Sequence, residues 1–242
     1  MTSINKRTKP CCVCGKEGNR GVFGRYYCKE CYDKRPKGKS NHPSSGGLIA
    51  LPENKFKEEL NKVYLVPDGI QFLKVPKGNK VFATLFLTHY PESKGIVGRS
   101  INYLIIYRRR IAGIIGLMNP PYAIGVIDKF FRINKENRND MNLRIANNHV
   151  FRLINNEHNL ASRCLRLLRK VVTKDWKEKY GNDLIGLMTF VEPPRKGTCY
   201  LADNWNYLGM TKGKGCIQRS HRWELRTWIE KPKKHIYAIK IP

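Results

Sequence analysis

Two CxxC pairs carry the plainest chemistry in this sequence. Cys11-x2-Cys14 and Cys28-x2-Cys31 are separated by thirteen residues, a spacing that lets four thiolates close on one tetrahedral zinc ion with a hairpin between the knuckles. Cys12 stands beside Cys11 and is the alternative ligand. Gly15, Gly18 and Gly21 fit tight turns around such a site, and Tyr26 and Tyr27 can pack over it. A module this small draws its stability from the metal, so the ion is read as structural. Lys16, Arg20 and Arg25 give it a basic surface, for contact with nucleic acid or for docking on a protein. Cys164 falls on the apolar side of a helical pattern and belongs to a core. Cys199 has no histidine placed to activate it, so no thiol nucleophile is read there.

A second concentration of chemistry lies in the tail. From Lys212 to Lys240 there are nine basic and two acidic residues, interleaved with His221, Trp223, Trp228 and Tyr237. Basic side chains hold phosphate and aromatic rings stack on exposed bases. Lys212, Lys214, Arg219, Lys231, Lys233 and Lys234 are the candidate phosphate contacts here, joined by Arg163 and Arg166 on a helix. The alternative is a solvated basic edge over core tryptophans.

The whole chain shares this bias. Lys and Arg total 46 against 19 Asp and Glu in 242 residues, a formal charge of +27. Such a charge opposes compaction, and a phosphate backbone is the partner that rewards it through counterion release. No run approaches the ~20 apolar residues of a membrane-spanning helix. Met1 to Pro10 is polar and basic without an apolar stretch, so the expectation is a cytoplasmic protein, of a bacterial or phage-infected cell, with reduced cysteines.

The elements that must position these residues follow from apolar periodicity. Five of the eight cysteines fall within residues 10–33, so residues 1–33 are read as the zinc module. Residues 34–47 (KRPKGKSNHPSSGG) are a basic linker, and 48–242 form the globular domain. Residues 79–90 suit a helix. Residues 101–107 and 111–118 are apolar, β-branched runs around Arg108, Arg109 and Arg110, which predicts a hairpin. Residues 148–154, 184–191 and 235–241 read as strands. Between them, Leu160, Cys164, Leu167, Leu168, Val171, Val172 and Trp176 recur at helical spacing, with Asn159 as the expected cap and Arg163, Arg166, Arg169 and Lys170 on the opposite face. The fold class is α+β, with an α/β-like mixed sheet and a small N-terminal zinc-binding module.

From residue 82 onward the order of residues resembles two related families. HNLASRCLRLLRK (158–170), DW (175–176), YG (180–181), TFVEP (189–193), GTCYLADNWNYLGMTKGKG (197–215) and the final HIYAIKI carry the resemblance. The families are the Mom-like DNA-modification proteins of bacteriophages and the DruA proteins of Druantia anti-phage systems, both similar to the GNAT-type N-acetyltransferase fold. The zinc module lies outside the resemblance. It implies a donor held beside a strand (His149–Ile154) and the start of a helix (Leu160–Trp176), where exposed amides bind anions. Asn155 to Asn159 stand where the usual glycine-rich pyrophosphate loop would be.

Carried over residue by residue, the resemblance implies catalytic roles for His89, Tyr90, Glu192 and Tyr200, and substrate or donor contacts from Arg152, Asn159, Ser162, Thr198 and Asn204. Glu192 ends an apolar strand, where a carboxylate can be desolvated into a general base; otherwise it is a solvated loop residue. Tyr200 is either a general acid or a packing ring, His89 either a catalytic group or a helix-end histidine. Asn159 and Ser162 either touch donor or cap the helix. The implied function is a transferase that alters an exocyclic amino group of double-stranded DNA, adenine in particular, with an acyl donor such as acyl-CoA, to protect DNA from restriction. Two other readings remain open. One is a nucleic-acid-binding protein without chemistry. The other is a zinc-containing His-Asn-His nuclease, to which Asn147-Asn148-His149 and His158 have a surface similarity.

Overall fold

The computed structural model describes residues 9–10, 14, 16–18, 20–22, 25–30, 48–91, 93, 95–96, 98–155, 157–216 and 228–242. Two compact units result, Met1–Ser44 and Ser45–Pro242. The first holds two short antiparallel ribbons, β1 (Lys9–Pro10) with β2 (Glu17–Gly18), and β3 (Arg20–Val22) with β4 (Arg25–Tyr27). The linker expected at 34–47 lies outside the described residues.

The second unit is built on a seven-stranded sheet. Its strands are β5 (Ile70–Val75), β6 (Ser100–Tyr107), β7 (Arg110–Met118), β8 (Ile145–Leu153), β9 (Gly186–Val191), β10 (Asn206–Met210) and β13 (His235–Lys240). Their order is β10-β13-β9-β8-β7-β6-β5. Every neighbouring pair is antiparallel except β8 and β9, which run parallel. A parallel pair needs a crossover, and the chain supplies it as the helix Leu160–Tyr180. A separate ribbon pairs β11 (Lys214–Cys216) with β12 (Trp228–Glu230). The mixed α+β class expected from the periodicity is the class observed.

Among the described residues six helices dress the sheet: α1 (Glu53–Asn61), α2 (Lys80–His89), α3 (Gly125–Phe131), α4 (Arg138–Arg144), α5 (Leu160–Tyr180) and α6 (Thr198–Ala202). The apolar stripe of α5 buries Leu160, Cys164, Leu165, Leu168, Val172 and Trp176 against the β6–β9 face, with Ile101, Tyr103, Ile115 and Leu187 beneath. Leu165 belongs to this stripe, whereas Leu167 and Val171 are only half-buried. The helix closes at Gly181, which takes φ 72° and donates its N–H to Lys177 O, a left-handed stop that glycine adopts without strain. On the opposite face α2 buries Phe82, Leu85 and Phe86 over Leu104, Ile106, Ile114 and Val150. Asn79 caps α2 by accepting the Phe82 N–H at 2.9 Å. No helix among the described residues is long and apolar enough to cross a membrane.

One expected cap is corrected. Asn159 does occupy the cap position of α5, but at φ 55° its side chain makes no capping bond. A capping side chain reaches the second or third amide from extended backbone, and the left-handed turn aims it elsewhere. Ser162 does not cap the helix either; its hydroxyl donates back to Asn159 O at 3.1 Å. Arg169, expected on the solvated face, instead donates to the carbonyl and carboxylate of buried Asp203, both at 3.1 Å.

Candidate active site

The site originates where a ladder ends. β8 and β9 pair from Ile145 with Gly186 to Asn148 with Thr189 and no further. Beyond that rung β8 continues along β7 to Leu153, while β9 continues along β13 to Val191. The two strands part, and the Thr189 hydroxyl bonds Asn148 O at 2.9 Å at the last rung. At the same level the β7–β8 register shifts between Gly116 and Leu117, leaving His149 in a bulge. Bulges re-aim side chains. Here the imidazole lies over Gly116, where an added Cβ would meet His149 Cε1 at 2.6 Å.

The parted strands enclose a cleft of about 520 Å³. Six rings line it: His89 and Tyr90 from the end of α2, His149 and Phe151 from β8, Phe190 from β9 and Tyr200 from α6. Arg195, Lys196 and Lys234 line it too, with Glu192 as the acid. The cleft is thus aromatic within and basic in charge.

Each group's protonation follows from its surroundings. Tyr200 is almost fully buried among Trp205 at 5.0 Å, Tyr237 at 5.6 Å and Phe151 at 6.5 Å, and its hydroxyl donates to Asn148 Oδ1 at 3.4 Å. Burial pushes that hydroxyl well above the usual tyrosine range, so it keeps its proton at neutral pH. Tyr90 is raised in the same way, by burial first. His89 is lowered by burial and then by Arg195 and Arg152. His149 is held down at about 4 by burial, with the Gly116 backbone offsetting part of the effect. The cleft therefore offers neutral imidazoles and protonated phenols.

Five of the nine residues expected to act on substrate or donor meet here: His89, Tyr90, Glu192, Thr198 and Tyr200. Lys234, expected as a phosphate contact, joins them and grips Glu192 at 2.7 Å. The desolvation expected of Glu192 is not found: its side chain is 44% exposed and ion-paired. The other four lie off the cleft wall. Arg152 donates to Leu85 O at 2.8 Å and so ties the last turns of α2 to β8. Asn204 takes φ 60° in the turn after α6, and Asn159 and Ser162, at the start of α5, complete the four. Thr189, Arg195 and Lys196 have no site role in the sequence reading, and Asn148 and His149 have one only through the nuclease alternative. Three consecutive polar residues, Asn147 to His149, inside an apolar strand were the available signal.

Among the expected phosphate contacts, Arg163 lies over the Tyr107 ring at 6.0 Å, and Arg166 is exposed with Asp203 3.9 Å away. Lys212, Lys214, Lys231 and Lys233 are exposed around the β11–β12 ribbon, while Arg219 lies outside the described residues. Of the expected zinc ligands, Cys14 and Cys28 have their sulfurs 3.6 Å apart. Two thiolates at ~2.3 Å from a tetrahedral zinc stand about 3.8 Å apart, so the pair fits a shared ion as well as a thiol–thiol contact. Cys11, Cys12 and Cys31 lie outside the described residues, and no group of three or more metal-binding side chains occurs among the described ones. His149, the strand histidine of the nuclease reading, lines the cleft and also packs on Gly116 and on Phe86, at 5.8 Å between rings.

The family model described as Druantia protein DruA matches residues 53–238. Solved structures similar to the chain include a GNAT family acetyltransferase from Elizabethkingia anophelis with acetyl-CoA bound, at 15% identity over 72% of this chain and 100% of that chain, TM-score 0.40. The IAA acetyltransferase from Bacillus cereus ATCC 14579 is similar at 13% identity over 72% and 100%, TM-score 0.41. No curated protein matches the chain.

Proposed function

We propose, from the premise that this chain belongs to the family of the Druantia protein DruA, that its cleft moves an acyl group from a donor to an exocyclic amino group of a base in double-stranded DNA. Adenine is the base that the Mom-like resemblance implies. The observation that carries the reading is the pair of parallel strands parting over a cleft walled by six rings and charged by Arg195, Lys196 and Lys234. Beyond the last rung the facing edges of β8 and β9 no longer pair with each other, so an extended, amide-bearing donor can take up their peptide groups. Aromatic walls suit a base lifted from the stack, as any enzyme acting on a base within a duplex requires. Acyl-CoA is the donor class considered first.

In this reading the base's amino nitrogen attacks the acyl carbonyl. One N–H proton passes to a group on the cleft wall, His89 or Glu192, and the leaving group takes a proton from Tyr200. The modified base then carries bulk in the major groove, where restriction endonucleases read sequence.

Mass spectrometry of nucleosides from cells expressing the protein tests this. A heavier adenine nucleoside is expected, along with resistance of the DNA to unrelated restriction enzymes. Tyr200→Phe is expected to lower its yield by roughly 100- to 10,000-fold, the range of a lost general acid, with DNA binding kept. Unmodified DNA from folded protein with donor supplied would sink the proposal. A second reading, a nucleic-acid-binding protein without chemistry, draws on the Glu192–Lys234 pair, since a carboxylate committed to a lysine is not a desolvated base. It expects salt-sensitive binding and no new nucleoside.

A further inference from the structure

The turn between β6 and β7 breaks a local rule in a charged place. Tyr107 pairs with Arg110, so the loop is the two residues Arg108 and Arg109, at φ 50° and 59°. Two-residue hairpins with both central residues left-handed favour Asn-Gly, because other side chains crowd the backbone there. Arginine at each of these positions is strained relative to such residues. A β-bulge sits just behind the turn, between Ile105 and Ile106. A costly sequence at a tip that tolerates cheaper ones is a reason to look for what the side chains contact.

The side chains are each held by a bond or a ring and stay exposed. Arg108 lies over the Tyr107 ring at 5.1 Å, and Arg163 from the first turn of α5 lies 6.0 Å from the same ring. Stacking on an aromatic face fixes a guanidinium while its N–H edge stays free for a phosphate. Arg108 is 72% exposed even while it bonds Glu157 at 3.1 Å. Arg109 reaches Tyr64 O at 3.3 Å, and Arg110 follows exposed. Two arginines, Arg108 and Arg163, therefore share the Tyr107 ring, Arg108 bonds an acid as well, and Arg109 and Arg110 add exposed charge beside them.

Topology places this turn beside the cleft. Gly113 pairs with Leu153 and Ile154 donates to Ala112 O, so the turn stands at the end of the sheet where β8 and β9 finish. Phe151, the last cleft residue of β8, pairs with Ile115, so Arg110 stands five residues, roughly 17 Å, further along and one strand, about 5 Å, across, at the end towards which the cleft parts. Lys212, Lys231, Lys233 and Lys234 reach the same end beyond β9, since Met210 pairs with His235 and His235 with Val191. The cleft is thus flanked by cationic groups on both sides.

We propose that the Arg108–Arg110 turn, with Arg163, is a phosphate clamp that seats the nucleic-acid backbone on one flank of the cleft while the lysines of the β11–β12 side seat it on the other. The clamp rests on the reading of the cleft as acting on nucleic acid. Guanidinium forks match phosphate oxygens, and a chain of charge +27 favours a polyanion over an acidic protein segment.

The test is the salt dependence of binding to a short labelled duplex. Arg108→Asn with Arg109→Gly removes two charges and installs the residues the turn prefers, so thermal stability is expected to hold or rise. The slope of log affinity against log salt is expected to fall by about 1.8, two contacts at ~0.9 each, so that affinity near 0.1 M salt drops about sixty-fold relative to a common value at 1 M. Arg108→Lys with Arg109→Lys is expected to recover most of the slope. An unchanged slope in the Asn-Gly variant overturns the clamp, as does a lysine variant that recovers nothing. Lost affinity for acyl-CoA with DNA binding intact assigns the arginines to the donor and overturns it too. Wild-type protein without salt-sensitive DNA binding removes the underlying reading instead.

Discussion

Tyr200, on α6, and His149, in the β8 bulge, both line the cleft where β8 and β9 part, and burial sets the protonation of each. The phenol keeps its proton and the imidazole stays neutral. Tyr200, His89, Tyr90, Glu192 and Thr198 were legible through the family resemblance, which carries their order, and only Glu192 and the His89–Tyr90 pair also stand near the end of an apolar run. The sequence left His149 and Asn148 obscure, since a polar residue inside an apolar strand signals a site only once the neighbouring strand is known to leave. His149 carries a pH signature. Its folded-state value is near 4 against an unfolded 6.5, so the unfolded chain binds the extra proton between those values. The stability it contributes is whole above pH 6.5 and is lost as pH falls towards 4, by up to about 3 kcal/mol. His149→Phe, next to Phe86, is expected to flatten that part of the pH–stability curve measured by urea unfolding. A curve as steep as the wild type's would place the titration elsewhere, with His89, which shifts the same way.

At the scale of elements, the β6–β7 hairpin and α5 were readable because their apolar positions repeat without interruption over seven or more residues. β5 (IQFLKV) was not, since an edge strand packs one face loosely and its burial lacks clean alternation. α3, α4 and α6 have seven, seven and five residues, too short for periodicity to stand out. Gly116 shows what a strand contributes to the site without touching substrate. Its missing side chain leaves the space that the His149 ring fills, with Val150 Cγ1 2.9 Å from the place a Cβ would take. Gly116→Ala is expected to lower stability by about 2 kcal/mol through overpacking and to push His149 towards the cleft. Denaturant unfolding and modification yield should fall together. A variant of wild-type stability and full yield would mean that the bulge adapts and that the ring's position is not held by this contact.

For the whole molecule the question is which unit carries which property. The family match, 53–238, falls within the unit Ser45–Pro242, which has its own apolar core on both faces of one sheet. Every described residue lining the cleft belongs to that unit. The cysteine pairs lie in the other unit, where Cys14 and Cys28 already approach to 3.6 Å. If all four ligands close on one ion there, the intact chain is expected to hold about one zinc per molecule by elemental analysis, and residues 45–242 none. Residues 45–242 are also expected to fold cooperatively and to keep the cleft's chemistry, because a unit with its own core needs no help to bury apolar surface. Cys28→Ser in the intact chain then removes the zinc while leaving the larger unit's thermal transition in place. Structural zinc binding is folding free energy for a module of this size, so the variant's first unit should become sensitive to protease while the second does not. Full zinc content in Cys28→Ser would refute the assignment. A larger unit that melts with the smaller would show that the two are coupled and that the cleft depends on both.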